Sequence, residues 1–259
     1  MTNAALVRGL AAGLLACIAC SGTDPPSLLD AVVASDASAV EAALDAGADP
    51  NTLSADGSPV LLLAASTGAE DVSALLIARG GDIEAVRSSP SLDGSNPIAP
   101  HSATALVAAA IGGHESLALR LLEDGADPTS ASAHGITALH AAARNNLPAL
   151  ARDLLARRAD ADARTSAGFT PLLSACYNEA TEIPVLLLDA GADIGATSNV
   201  GYPALFYASQ NDHIEIVKLL IERGADLHQT YPRGYTARSR AAALGHVEIV
   251  RLLMRHGAS

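Results

Sequence analysis

Residues 201–224 read GYPALFYASQNDHIEIVKLLIERG, and residues 234–257 read GYTARSRAAALGHVEIVRLLMRHG. Both segments have a Gly-Tyr start, a short run with small residues, a polar turn, a leucine-rich run and a final glycine. The apolar residues of the second run recur at the spacing of an amphipathic helix. A glycine at the end tolerates the left-handed conformation that stops a helix. Each segment therefore predicts a pair of helices that pack closely.

The same unit recurs along the chain with a constant period. The tripeptide GAD at 47–49 has relatives that start at 80, 125, 158, 191, 224 and 257, so the spacings are 33, 45, 33, 33, 33 and 33. A second series has the same period and consists of Thr104, Thr137, Thr170, Pro203 and Thr236. Two series with one period identify a repeat protein.

These units resemble the ankyrin repeat, whose consensus runs G-x-T-P-L-H-x-A-A, G-H-x-E-V-V and L-L-L-x-x-G-A-D. Residues 168–172 (GFTPL) and 137–142 (TALHAA) match it closely. The resemblance covers roughly 27–259 and implies an all-α solenoid of about seven helix-turn-helix units with projecting finger loops. The units are expected near residues 27–51, 57–84, 102–129, 135–162, 168–195, 201–228 and 234–259. The fold is well determined by this resemblance, whereas function is not.

The two terminal units depart from the consensus. The unit at 27–51 lacks the Thr-Pro turn, and the last unit has Arg238 and Ser239 where the family has Leu and His. A polar terminal repeat shields the last apolar face from water, so both ends are expected to be caps. The single spacing of 45 leaves 45 − 33 = 12 additional residues after the second unit. Their Ser, Pro and Gly content predicts an extended finger loop at 86–101.

The N-terminal residues are expected to lie outside the fold. Residues 1–19 have one positive charge, at Arg8, and an apolar run that suits a secretory signal. The segment resembles a bacterial lipoprotein signal, with Cys20 as the preferred lipidated residue and Cys17 as the alternative; cleavage without a lipid is also open. Residues 20–26 then form a short linker. The resemblance implies an exported, membrane-anchored protein of the periplasm in a Gram-negative bacterium.

The net charge limits the class of partner. The chain carries a formal charge of −12 at pH 7 and contains no run of Lys or Arg. A polyanion would be repelled, which argues against nucleic acid and against anionic membrane surfaces. On charge alone, a basic partner protein is favoured, and contact with a membrane is expected only through the N-terminal lipid.

No motif of a catalytic or metal site occurs in the sequence. There is no nucleophile elbow and no phosphate-binding glycine loop. His114, His140, His213 and His246 occupy positions at which the family uses histidine to support turns, and Cys176 occupies a small buried position. We therefore expect no enzyme activity, no metal and no cofactor. Arg120 and Asp153 replace the first Leu of adjacent second helices, at equivalent positions one period apart, and are expected to pair.

The candidate partner-binding residues lie at the positions that the family leaves variable. These positions are the finger loop, the residue between Gly and Thr, and the two residues after the Ala-Ala pair, which line the concave groove where partners of this family bind. The candidates are Ile136, Arg144, Asn145, Phe169, Tyr177, Asn178, Tyr202, Gln210, Asn211, Tyr231, Arg233 and Tyr235. All seven aromatic residues of the chain lie between residues 169 and 235. Rigid rings are enriched among interface hot spots, so these residues predict a protein-binding face; the alternative is that the stacked rings only pack adjacent fingers together.

The resemblance implies a non-enzymatic protein-binding module. Exported bacterial proteins of this family are similar either to immunity proteins that neutralise a toxin, or to accessory factors of a periplasmic enzyme such as a catalase. The expected function is binding of a partner protein, as an immunity or inhibitor protein. The alternative is a structural or accessory scaffold for a periplasmic enzyme or for envelope assembly.

Overall fold

The computed structural model describes residues 27–87 and 103–258. These residues form fourteen α-helices in seven consecutive pairs, which we number as repeats one to seven. The first helices of the pairs are α1 (Leu28–Val33), α3 (Val60–Thr67), α5 (Ala105–Gly112), α7 (Ala138–Asn145), α9 (Pro171–Tyr177), α11 (Ala204–Gln210) and α13 (Ala237–Leu244). The second helices are α2 (Ala37–Asp45), α4 (Glu70–Ala78), α6 (Glu115–Glu123), α8 (Pro148–Ala156), α10 (Ile183–Asp189), α12 (Ile214–Glu222) and α14 (Val247–Arg255).

The helices stack into a continuous solenoid. Each first helix packs on the second helix of its own repeat and on the first helix of the next repeat, from α1 to α13. The contact between α3 and α5 is maintained although the additional residues of the sequence lie between them. The all-α solenoid of helix-turn-helix units that the resemblance implied is therefore confirmed.

Small residues in the first helices allow this close stacking. The alanines of 108–110 in α5 and of 141–143 in α7 are at most 3% exposed. Leucines of the second helices, including Leu117, Leu150 and Leu187, complete the core at 0–1% exposure. Each repeat can bury its apolar surface only against its neighbours, so the stability of the solenoid depends on these contacts.

The finger loops are tight hairpins that precede the first helices. In five of them a backbone N–H donates to the carbonyl four residues later, at 2.7–3.1 Å. The donors are Ser54, Ser132, Thr165, Ser198 and Tyr231, and the acceptors are Ser58, Ile136, Phe169, Tyr202 and Tyr235. Within the described ranges the loops contribute isolated β-bridges, such as Ala131 with Thr137, and no extended strand. The hairpins fix the residue between Gly and Thr at the base of each finger.

Histidines connect adjacent repeats. A ring nitrogen of His114, His213 and His246 lies 3.0–3.2 Å from a carbonyl of the preceding first helix, at Ser66, Cys176 and Gln210 respectively. These bonds satisfy carbonyl groups that a helix end leaves without a partner.

The fourth histidine of this group, His140, closes a capping box. Its Nδ1 accepts the N–H of Thr137, whose hydroxyl in turn accepts the N–H of His140. Its Nε2 lies 2.9 Å from the carbonyl oxygen of Phe169 in the next finger. All four histidines thus have the structural role that the sequence predicted.

The aspartates of the GAD tripeptides are structural as well. In six repeats the carboxylate of this aspartate accepts the backbone N–H two residues later, at 2.8–3.0 Å. These residues are Asp49, Asp82, Asp127, Asp160, Asp193 and Asp226. An aspartate that bonds its own backbone in this way stabilises the turn. Six of the 28 acidic residues of the chain are therefore used by the repeat itself.

The predicted pair of Arg120 and Asp153 is not formed. The Arg120 guanidinium binds Asp124 at 3.0 Å, and Asp153 binds Arg157 at 2.9 Å. Both contacts join residues four positions apart, which are neighbours on a helix surface. Each charge therefore finds a closer partner in its own repeat than in the adjacent one, and the prediction was wrong for this reason.

Several predictions concern residues outside the described ranges. They are the signal segment 1–19, the linker 20–26 with the lipidation candidates Cys20 and Cys17, and all but the first two residues of the extended loop 86–101. In the described part of the chain, none of the helices has the length and apolar character needed to cross a membrane.

Candidate functional site

Six of the seven aromatic rings form one contiguous array across repeats five to seven. They are Phe169, Tyr177, Tyr202, Phe206, Tyr207 and Tyr231, and the ring centroids in contact lie 4.0–6.3 Å apart. Stacked repeats bring equivalent positions side by side, so residues one period apart in the sequence meet. The clustering in the sequence therefore becomes a continuous cluster of rings in the fold, partly buried and partly exposed.

Two buried rings support the array from below. Phe206 and Tyr207 on α11 are 3% and 6% exposed. Tyr202 stacks on Phe206, with the centroids 4.0 Å apart and the planes at 8°. The hydroxyl of Tyr207 lies 3.0 Å from Oγ of Ser198 in the finger loop. Aromatic pairs contribute about 0.5–1.5 kcal/mol beyond their buried area, so the rings above them are held in fixed positions.

Four candidate rings lie at or near the surface. Tyr177, at the end of α9, is 48% exposed and touches Phe169 edge-on at 6.3 Å. Phe169, Tyr202 and Tyr235 are half-buried at the bases of successive fingers. These four rings offer apolar area to a partner without a large change in their own conformation.

Tyr231 does not belong to this exposed group. Its side chain is 3% exposed, and its hydroxyl has no hydrogen-bond partner among the described residues. It occupies the finger position that holds Ser132 and Ser198 in other repeats, a position that points into the core. Burial, and then the charge of Asp226, raise the pKa of its hydroxyl. The prediction that Tyr231 contacts a partner does not agree with this burial.

The predicted amide residues largely serve the solenoid. Nδ2 of Asn145 donates to the carbonyls of Ala110 and Ile111, at 2.8 and 3.0 Å. Nδ2 of Asn211 donates to the carbonyl of Tyr177 at 2.9 Å. Both amides thus join adjacent first helices, as the turn histidines do. Asn145 and Asn211, which were predicted to bind a partner, therefore form hydrogen bonds within the solenoid.

The other two amides differ in their exposure. Asn178 is exposed, and its Nδ2 donates to the carbonyl of Ser174 in its own helix. Gln210 is half-buried, and its Oε1 accepts a hydrogen bond from Nε of Arg240 at 3.1 Å. Only Asn178 of the four predicted amides extends into solvent at the rim of the rings.

The remaining candidates are one apolar and two basic residues. Ile136 is half-buried at the base of its finger. Arg144 is half-buried in the last turn of α7, and burial lowers the pKa of its guanidinium. Arg233 is exposed at a finger tip, where its φ of 68° is in the left-handed region. Such a conformation costs about 1 kcal/mol or more for a residue with a side chain.

Arg240 is a residue of this face that the sequence prediction missed. Its guanidinium carbon lies 6.0 Å from the ring centroid of Phe206 and 5.8 Å from that of Tyr235. It connects Tyr235, which lies outside the six-ring array, to the other rings. The signal was present in the sequence, because Arg240 follows Tyr207 by one full period and so occupies the equivalent position in the next repeat.

Two titratable side chains near the rings, those of Cys176 and His140, are buried. Burial raises the pKa of the Cys176 thiol, which is fully buried and therefore a poor nucleophile. Burial lowers the pKa of His140, whose ring is occupied by the capping box and by Phe169. No group of three or more His, Cys, Asp or Glu side chains in the described ranges is arranged to hold a metal ion.

Comparisons with known proteins agree with this architecture. The family model described as ankyrin repeats (3 copies) matches residues 28–132, 106–198, 139–231 and 185–259 in overlapping segments. The crystal structure of the human ASB11 ankyrin repeat domain superposes with a TM-score of 0.77 at 22% sequence identity. That superposition covers 90% of this chain and 99% of the human domain. The search of curated proteins gave no match.

Proposed function

Because this chain belongs to the ankyrin repeat family, we propose that its partner protein binds the face formed by the first helices and finger loops of repeats four to seven. We call this surface the ring face; its exposed or half-buried members include Arg144, Phe169, Tyr177, Tyr202 and Tyr235. Ankyrin repeats are protein-interaction modules and generally have no catalytic role, so the proposal concerns which surface binds.

The observation that carries the proposal is the supported aromatic array. Tyr177 is 48% exposed, and the half-buried Tyr202 rests on the buried ring of Phe206 at 4.0 Å. A partner can cover these rings with little loss of side-chain entropy, since they are already held in place. Aromatic and arginine side chains are enriched among the residues that dominate binding energy.

The cellular setting is a proposal from the sequence alone. We propose that residues 1–19 direct export and that Cys20, or Cys17, carries a lipid that holds the solenoid at a periplasmic membrane surface. In that setting an immunity or inhibitor role is our preferred function. The net charge of −12 led to the expectation of a basic partner, but a partner meets the charges around the rings rather than the sum over the chain.

A site-specific photo-crosslink tests the binding face. A photoreactive phenylalanine analogue is placed at Tyr177 in the full chain and, as a matched control, at Met254, which is 57% exposed on α14. We expect a protein adduct in cells from position 177 and none from position 254. Equal adducts from both positions, or adducts from position 254 alone, would contradict the assignment of the ring face.

The captured protein also separates the two functions. If it is a toxin or enzyme whose activity falls when the ankyrin chain is added, inhibition is supported. An increase in the activity or stability of a captured enzyme would instead support the accessory scaffold. Mass spectrometry of the N-terminal peptide from the Cys20→Ser and Cys17→Ser variants tests the lipid anchor independently.

A further inference from the structure

The ring face contains no acidic residue, although the whole chain has a net charge of −12. The first helices from α3 to α13 have no Asp or Glu, and neither do the finger segments 130–136, 163–169, 196–202 and 229–235. In repeats four to seven the carboxylates lie instead in the GAD turns, on the second helices and in the turns between paired helices. In repeats four to seven the first helices and fingers that form the ring face therefore carry no carboxylate, and the nearest ones, such as Glu179 and Asp226, lie in the adjoining turns.

Arginine is the charged residue of this face in repeats four to seven. The arginines of these first helices and fingers are Arg144, Arg164, Arg233, Arg238 and Arg240, and none of them forms an ion pair with a described carboxylate. Cations of the second helices and the turns after them differ, since Arg120, Arg152 and Arg223 each bind a carboxylate at 2.7–3.0 Å. The guanidinium groups beside the rings are thus not neutralised within the fold.

Arg144 is the most informative of these arginines. It is half-buried, and the described residues offer its side chain neither a hydrogen bond nor an ion pair. A guanidinium that has lost part of its water and gained no partner costs free energy. Arg240 contributes a second guanidinium, which lies over the rings of Phe206 and Tyr235 and donates only to the neutral amide of Gln210.

Arg144 lies on α7 and Arg240 lies on α13, three repeats further along the solenoid. Arg144, Tyr177 and Gln210 follow one another at intervals of one period and therefore occupy equivalent positions on α7, α9 and α11. Adjacent packed helices are about 8–10 Å apart, so the three steps from repeat four to repeat seven span roughly 30 Å. An extended peptide covers that distance with about nine residues.

We propose that the ring face binds an extended acidic segment of a partner protein, with carboxylates at Arg144 and Arg240 and apolar contacts to Tyr177 and Tyr202 between them. This inference rests on the proposed function and specifies the partner's chemistry. It replaces the basic partner that the net charge suggested, because the relevant charge is that of the contact surface. A nucleic acid is disfavoured as the ligand, because its phosphates outside the two arginine contacts would be repelled by the net negative charge of the chain.

Peptide binding tests the proposal directly. A fluorescein-labelled peptide of roughly twelve glutamates, long enough for the span, is titrated with the full chain and followed by anisotropy. A lysine peptide of equal length and a single-stranded DNA oligonucleotide serve as competing probes. The glutamate peptide is expected to bind, with an affinity that falls as the salt concentration rises from about 20 to about 150 mM.

Matched variants locate the binding site. Arg144→Gln and Arg240→Gln are each expected to weaken glutamate-peptide binding about fivefold, since a charge-assisted contact is lost. Arg251→Gln is the control, because Arg251 is an exposed arginine of α14 without an ion pair in the described chain. If Arg240→Gln lowers the urea midpoint of unfolding, the comparison of Arg144→Gln with Arg251→Gln decides. Arg144→Lys, which keeps the charge, is expected to retain most of the affinity.

Other outcomes overturn the proposal. They are binding of the lysine peptide without binding of the glutamate peptide, equal losses in all three glutamine variants, or tighter, arginine-dependent binding of the oligonucleotide. If the glutamate peptide fails to bind while the photo-crosslink at Tyr177 still captures a protein, only the acidic character of the partner is refuted. Loss of both signals refutes the ring face as well.

Discussion

The two buried tyrosine hydroxyls of the array predict opposite effects for the same substitution. The hydroxyl of Tyr231 is buried without a hydrogen-bond partner in the described structure, whereas that of Tyr207 bonds Oγ of Ser198 at 3.0 Å. Leaving a buried polar group unsatisfied costs about 1–3 kcal/mol. Tyr231→Phe should therefore stabilise the solenoid by about 1 kcal/mol. The substitution removes the hydration of the hydroxyl in the unfolded chain, whereas the folded chain loses no hydrogen bond.

Tyr207→Phe should have the opposite sign. It removes the 3.0 Å hydrogen bond and leaves the Ser198 hydroxyl, in a residue that is 3% exposed, without its partner. We expect a loss of about 1–2 kcal/mol. The two variants each lack one oxygen atom and lie in neighbouring repeats, so the comparison separates hydrogen bonding from packing.

Urea unfolding measures the difference. The chain has no Trp, and all its aromatic rings lie between residues 169 and 235, so tyrosine fluorescence reports the unfolding of this region while circular dichroism reports the whole solenoid. Thermal unfolding gives a second measure, since a change of 1 kcal/mol in the free energy of unfolding shifts the melting temperature of a domain of this size by about 2–4 °C. A Tyr231→Phe variant that unfolds at lower urea than the native chain would refute the reasoning and would imply a bound water at that hydroxyl.

Local geometry gives three further predictions. Gly168→Ala should destabilise the solenoid by more than Gly47→Ala does. Both glycines have a positive φ, but only at Gly168 would an added Cβ lie 2.6 Å from a backbone nitrogen, that of Asn199. Equal urea midpoints for the two variants would contradict this. Alkylation of the Cys176 peptide, followed by mass spectrometry, should be slow in the native protein and fast in urea, because the thiol is fully buried and burial raises its pKa. Burial lowers the pKa of His140 from its ordinary value of 6.5, so the folded state favours the neutral imidazole. The stability that neutral His140 contributes should therefore be lost as the pH falls from about 6.5 through the lowered pKa of the folded state. His140→Asn should reduce that pH dependence of the melting temperature, and an unchanged dependence would exclude His140 as its source.

The period identified a repeat protein, and the resemblance to the ankyrin repeat implied the fold, because a unit of this family is defined by local spacing. The helix ends, the turn histidines and the small residues of the core are all fixed by positions within a single period. Side-chain partners were less predictable. Arg120 bound Asp124 in its own repeat, and Asn145 and Asn211 bonded the preceding first helix.

The candidate site was predicted in part for a related reason. Variable positions of the repeat identified Tyr177 and Tyr202, but Tyr231 turned inward because its finger position faces the core. Net charge is a sum over the chain and holds no information on which face carries it. The separation of arginine from aspartate depends on which residues form the first helices, the second helices and the turns.

The affinity for the captured partner is the most direct test of the central claim that the ring face binds a protein. The dissociation constant is measured for the native chain, for a Tyr177→Ala/Tyr202→Ala variant and for a Val247→Ala/Met254→Ala control, whose two side chains are 53% and 57% exposed on α14. We predict at least a tenfold loss, about 1.4 kcal/mol, for the ring variant and no change for the control. Equal affinities for all three proteins would contradict the account.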